Sequence, residues 1–74
     1  MEKQIIDILR KYTEIPPEKI NSESRLAEEL GLNSLDLMNV IIAFEAYFDI
    51  EIPENDIQGL YRISDIVEYL KRKL

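Results

Sequence analysis

Apolar positions recur with a helical period along most of the chain. Ile5, Leu9 and Tyr12 fall at i, i+4 and i+7, with Ile6 and Ile8 alongside, while Glu2, Lys3, Asp7, Arg10 and Lys11 are free to face water. This predicts a first helix ending near Glu14, because Pro16 and Pro17 disfavour helical geometry at the residues before them. Residues 15–33 read as a long connector rich in Pro, Ser, Asn and Glu, with Ile20, Leu26, Leu30 and Leu32 recurring as core anchors. A connector of this length in a small domain is uncommon and often functional.

Asn33–Ser34 opens the next helix. Asn is a good N-cap, and Asp36 in the first turn complements the positive end of the helix dipole. Leu37, Ile41, Phe44 and Phe48 form one apolar stripe, widened by Val40. A second row, Leu35, Met38 and Ile42, lies roughly opposite at about 100° per residue. A helix greasy on two faces is either sandwiched between neighbours or keeps one face for a partner.

Phe48–Pro53 alternates like a strand, but one short strand has nothing to pair with, so it is expected to be an extended loop pinned by Ile50 or Ile52. Pro53 suits the start of a short helix over Glu54–Gly59, with Gly59 as its stop. A final helix from about Ile63 places Ile63, Ile66, Val67, Leu70 and Leu74 on one side and Lys71, Arg72 and Lys73 at its C-terminal end. The expected fold is therefore all-α: one domain over residues 1–74, a four-helix bundle of three main helices, a short third one and a long first loop.

Composition narrows the chemistry. With 46% apolar residues the chain can form a core, while fifteen acids against nine bases give a net charge of −6. Cysteine and histidine are absent, which removes disulfides, thiol nucleophiles, thiolate metal sites and Ser–His catalysis, and argues against a zinc or haem centre. No metal ligand set is expected, nor is a catalytic residue. The acidic balance argues against a nucleic-acid partner. The longest apolar run, Val40–Phe44, falls far short of the roughly 20 residues of a membrane span, and no signal-peptide core follows Met1–Gln4. A cytoplasmic monomer is the expectation. Residues 34–59 carry six acids and no base, a one-sign surface able to steer a basic partner or simply a solvated face.

Ser34 is the candidate reactive atom. It sits beside a Gly-containing turn at the first turn of a helix, where backbone N–H groups favour a phosphate ester. It has no candidate base, since no Lys or Arg lies within residues 26–61, so another protein would have to activate it. From position alone, an ordinary helix cap is the favoured reading.

The surrounding residues go further. Glu29–Leu30–Gly31–Leu32–Asn33–Ser34–Leu35–Asp36 resembles the attachment motif of acyl carrier proteins, Leu-Gly-x-Asp-Ser-Leu-Asp, and Phe48–Asp49–Ile50–Glu51–Ile52–Pro53 resembles the segment that follows helix II in that family. Ile5–Tyr12 and Ile63–Leu70 are similar to its first and last helices, so the resemblance covers essentially the whole chain. It implies a chain that is not an enzyme: a phosphopantetheinyl transferase would place 4′-phosphopantetheine from coenzyme A on Ser34, and the arm's thiol would hold acyl groups as thioesters for fatty-acid-type synthesis. It further implies an acyl pocket at Met38, Ile42, Ile57 and Leu60, positions that plain core packing explains as readily. Recognition by synthase enzymes with basic docking patches would fall on Asn33, Leu35, Asp36, Met38, Asn39, Ile42 and Glu45.

The chain departs from the pattern at three places. Asn33 replaces the usual Asp, and Asn39 and Ala46 stand where fatty-acid-type carriers commonly have acids. At up to about 1 kcal/mol per exposed charge pair, these losses weaken the electrostatic handle of helix II. A carrier for a polyketide, a nonribosomal peptide (aminoacyl cargo) or another specialised pathway is the alternative. An unmodified protein-interaction module, docking through the outward row of helix II, is the alternative of another class.

Overall fold

Fifteen apolar side chains form one core, with Phe44, Ile5, Leu9, Ile63, Ile66, Leu70 and Val40 fully buried. In the computed structural model, which describes residues 1–74, they are carried mainly by three helices: α1 (Glu2–Leu9), α2 (Ser34–Phe48) and α4 (Ile63–Lys73). A four-residue α3 (Glu54–Ile57) lies between α2 and α4, and a 3₁₀ turn (Pro17–Lys19) interrupts the connector. The all-α bundle expected from the periodicity is the fold observed, with α1 packed on both α2 and α4.

The first helix stops earlier than expected, at Leu9 instead of Glu14. Beyond it the backbone tightens into i→i+3 bonds, from the Lys11 N–H to Ile8 O (3.3 Å) and from the Tyr12 N–H to Leu9 O (2.9 Å). Thr13 then leaves the helical path. Its hydroxyl donates to Leu30 O at 2.7 Å and accepts from the Ile15 N–H at 3.2 Å, a side-chain alternative to helical bonding. The termination is thus set before the prolines.

All four connector anchors, Ile20, Leu26, Leu30 and Leu32, are buried as expected. The connector is also tied to the start of α4 by backbone bonds. Leu26 N–H donates to Tyr61 O (2.9 Å), Ile63 N–H to Ser24 O (3.2 Å) and Ser64 N–H to Ser22 O (2.8 Å), around an antiparallel bridge between Arg25 and Arg62. Ser24 is buried within this junction, where its hydroxyl accepts from the Asn21 N–H at 3.0 Å. Gly31 takes φ +72°, a left-handed turn that a side chain would strain, and delivers Leu32 to the core just ahead of α2.

Asp49 ends α2 in the left-handed conformation (φ 55°). The following loop is pinned by Ile52, which is buried, while Ile50 is half-buried. The short helix ends at Ile57 with Gln58 as its cap, not at Gly59, whose backbone is outside the left-handed region and open to space. In α4, Ile63, Ile66 and Leu70 are buried and Val67 is half-buried, but Leu74 lies past the helix end and is 62% exposed, contrary to its expected place on the apolar side. Tyr69 is buried in its stead.

Candidate prosthetic-group site and apolar cleft

The start of α2 is built by four consecutive residues. Asn33 takes extended backbone geometry, and its Oδ1 accepts from the Asp36 N–H at 2.8 Å. Asp36 Oδ2 accepts in return from the Asn33 N–H at 3.2 Å, closing a capping box. The Leu37 N–H is engaged by Asn33 O at 2.9 Å, the first regular helical bond. The amides of Ser34 and Leu35 are left at the tip without an intramolecular acceptor, at the positive end of a fifteen-residue helix. Ser34 itself is exposed, and its hydroxyl makes no side-chain hydrogen bond. An exposed hydroxyl beside two free amides fits a phosphodiester, whose anionic oxygens these donors can receive.

The outward row of α2 is open. Leu35, Met38 and Ile42 are 69%, 49% and 57% exposed, and Asn33 and Asn39 share that exposure. Glu45 is different. It is half-buried, and its Oε2 accepts from the Ile52 N–H at 2.9 Å, so its carboxylate holds the loop that follows α2.

Of the four positions expected to line a slot, the structure brings two together. Ile57 and Leu60 line a cleft of about 300 Å³ with Leu26 and Ala27 of the connector, Leu37 of α2 and Tyr61, and Arg25, Glu28 and Gln58 complete its wall. Met38 and Ile42 are exposed and do not line it. Periodicity marks Leu26 as a connector anchor and Leu37 as part of an apolar stripe, and no local signal marks them as cleft walls, because the cleft is formed by segments far apart in sequence. Leu37 lies one turn beyond Ser34, a rise of roughly 4.5 Å along the helix. One wall of the cleft thus lies close to the helix tip.

Residues 3–70 match the family model described as the phosphopantetheine attachment site. The chain belongs to the acyl carrier protein family. It is 34% identical over 74 residues to an acyl carrier protein of Amoebophilus asiaticus, covering all of this chain and 92% of that one. Against acyl carrier proteins of Bdellovibrio bacteriovorus and Campylobacter fetus it is 33% identical over 70 and 67 residues, spanning 95% and 90% of this chain and 90% and 87% of theirs. The prosthetic group of this carrier is 4′-phosphopantetheine.

Two further features concern the acids of residues 34–59. Tyr69 OH donates to Asp56 Oδ2 at 2.6 Å, joining α4 to α3. Burial, reinforced by that hydrogen bond and the Asp56 charge, pushes the Tyr69 phenol up to about 12. The ion pairs of the fold, Arg25–Glu28 (3.3 Å) and Arg62–Glu23 (3.9 Å), leave every acid of residues 34–59 outside salt-bridge distance of a base. No helix is long and apolar enough to cross a membrane.

Proposed function

We propose that Ser34 is the attachment point of the prosthetic group and that the chain works as one carrier unit over residues 1–74, tethering acyl intermediates for fatty-acid-type biosynthesis. The observation that carries this reading is the exposed Ser34 hydroxyl at the tip of α2, inside the stretch matched by the attachment-site family. When bound, the group supplies a terminal thiol on which acyl groups are held as thioesters. This chain's own part is to present and position. The Ser34 and Leu35 amides and the helix dipole hold the anionic linkage, and the Asn33–Asp36 box keeps the tip rigid. The chain has no histidine and no Lys or Arg within residues 26–61 to activate Ser34, which supports modification by a phosphopantetheinyl transferase, with separate synthase enzymes performing the acyl chemistry. The carrier is itself no catalyst, and a monomer acting in the cytoplasm is the setting proposed.

In this reading Leu35, Met38 and Ile42 form the apolar part of the docking row and Asp36 its charge. The cleft lined by Leu26, Leu37, Ile57 and Leu60 shelters cargo, in place of a slot at Met38 and Ile42. The open row with Asn39 and Ala46 where acids are common favours a second reading, a carrier dedicated to a specialised pathway.

Incubating the purified chain with a phosphopantetheinyl transferase, coenzyme A and Mg²⁺ should add the mass of one phosphopantetheine, with no addition to Ser34→Ala. Equal addition to the Ser34→Ala chain, or none to the parent chain, would overturn the assignment. Persistent lack of modification combined with tight partner binding would instead describe an interaction module.

A further inference from the structure

Residues 53–60 supply Ile57, Gln58 and Leu60 to the lining of the apolar cleft, yet little fastens them. Helix α3 has four residues, no side-chain cap and no buried residue, and Ile57 and Leu60 are only half-buried. The hydrogen bonds of Asp56, Gly59 and Leu60 amides run to Pro53, Asp56 and Ile57 within the same segment, at 2.9, 3.4 and 3.1 Å. Firm anchors stand on both sides. Ile52 N–H is held by Glu45 at 2.9 Å, and Tyr61 O is held by the Leu26 N–H at 2.9 Å. Between them, one hydrogen bond joins the segment to the rest of the molecule, from Tyr69 OH to Asp56 Oδ2 at 2.6 Å. The donor is 8% exposed and sits on α4, the acceptor is on α3, and the acceptor is a carboxylate, which makes the bond short and strong.

We infer that the Tyr69–Asp56 hydrogen bond is a latch that keeps residues 53–60 closed over the apolar cleft, so that Tyr69 and Asp56 together set how readily the cleft admits an apolar guest. The two flanking anchors act as hinges. With the latch broken, the segment retains its internal bonds and can swing as a unit, carrying Ile57 and Leu60 away from Leu26 and Leu37. No residue of the latch lies on the α2 tip, so cleft access and Ser34 chemistry are controlled separately. That the guest is an acyl chain rests on the carrier reading; the latch itself does not.

The test uses the unmodified chain, so its outcome is independent of whether Ser34 accepts a prosthetic group. In Tyr69→Phe the ring is kept and the donor is lost. Hydrogen exchange of the Asp56, Gly59 and Leu60 amides should rise about tenfold relative to those of Leu26, Ile52 and the α2 interior. Asp56→Asn, which keeps an acceptor oxygen, should raise it less, and the double variant should match Tyr69→Phe. Uptake of the neutral dye Nile red should increase in the same order. A rise shared equally by core amides, additive effects in the double variant, or dye binding indifferent to Tyr69→Phe would each overturn the latch.

Discussion

At Tyr69, burial and a neighbouring carboxylate act in the same direction on one proton. Both disfavour the phenolate, so the group stays protonated in the folded chain up to about 12, while the unfolded chain releases the proton near 10.0. The folded state therefore binds more protons across that interval. The stabilising contribution is complete below pH 10 and is lost as pH rises toward 12. Denaturation midpoints should fall through this window in the parent chain and fall less in Tyr69→Phe, and matching profiles would show that the phenol is not the group responsible. Nothing in the local sequence marks Tyr69 for this role, because its partner lies thirteen positions away on another helix. The Asn33–Asp36 box is the opposite case. Both partners lie within one turn, so residue type and spacing alone predict it.

Element by element, the two glycines separate conformational need from convenience. Gly31 requires φ +72°, although the space around it is open, whereas Gly59 needs neither special geometry nor space. Gly31→Ala should cost about 1 kcal/mol through backbone strain alone, and Gly59→Ala should be neutral or slightly stabilising by restricting the unfolded chain. Thermal denaturation of the two variants checks this, and equal losses would contradict it. Gly59 was a reasonable stop signal, but α3 ends two residues before it with an ordinary right-handed cap at Gln58. Helix α1 ends at Leu9, short of the prolines, for a related reason. Prolines limit how far a helix can run, but the hydroxyl of Thr13 reaching Leu30 O depends on a connector folding back from seventeen residues away.

At the scale of the whole molecule, charge is segregated along the chain, with six acids and no base over residues 34–59. None of these six acids has a basic partner within salt-bridge distance, and Asp56 and Glu45 both disfavour ionisation of the same buried phenol, with Arg72 acting against them. Moderate salt or millimolar Mg²⁺ should raise the melting temperature by screening this repulsion. A melting temperature unmoved by either would show that the segregation carries no cost in stability. The α2 tip and its outward apolar row face solvent within the same acid-only stretch, a combination suited to a basic partner.

Residue type and short-range spacing suffice for the helical class, the capped tip that presents Ser34, the two apolar rows of α2 and the connector anchors. Each of these follows from residue type and a period of a few positions, so the information is local. Tertiary structure decided the walls of the cleft, the Tyr69–Asp56 bond, the pairing of residues 22–26 with 61–64 and the inward use of Glu45. These join positions far apart in the chain through backbone groups or single side chains, which repeat with no period and become neighbours only when the core closes.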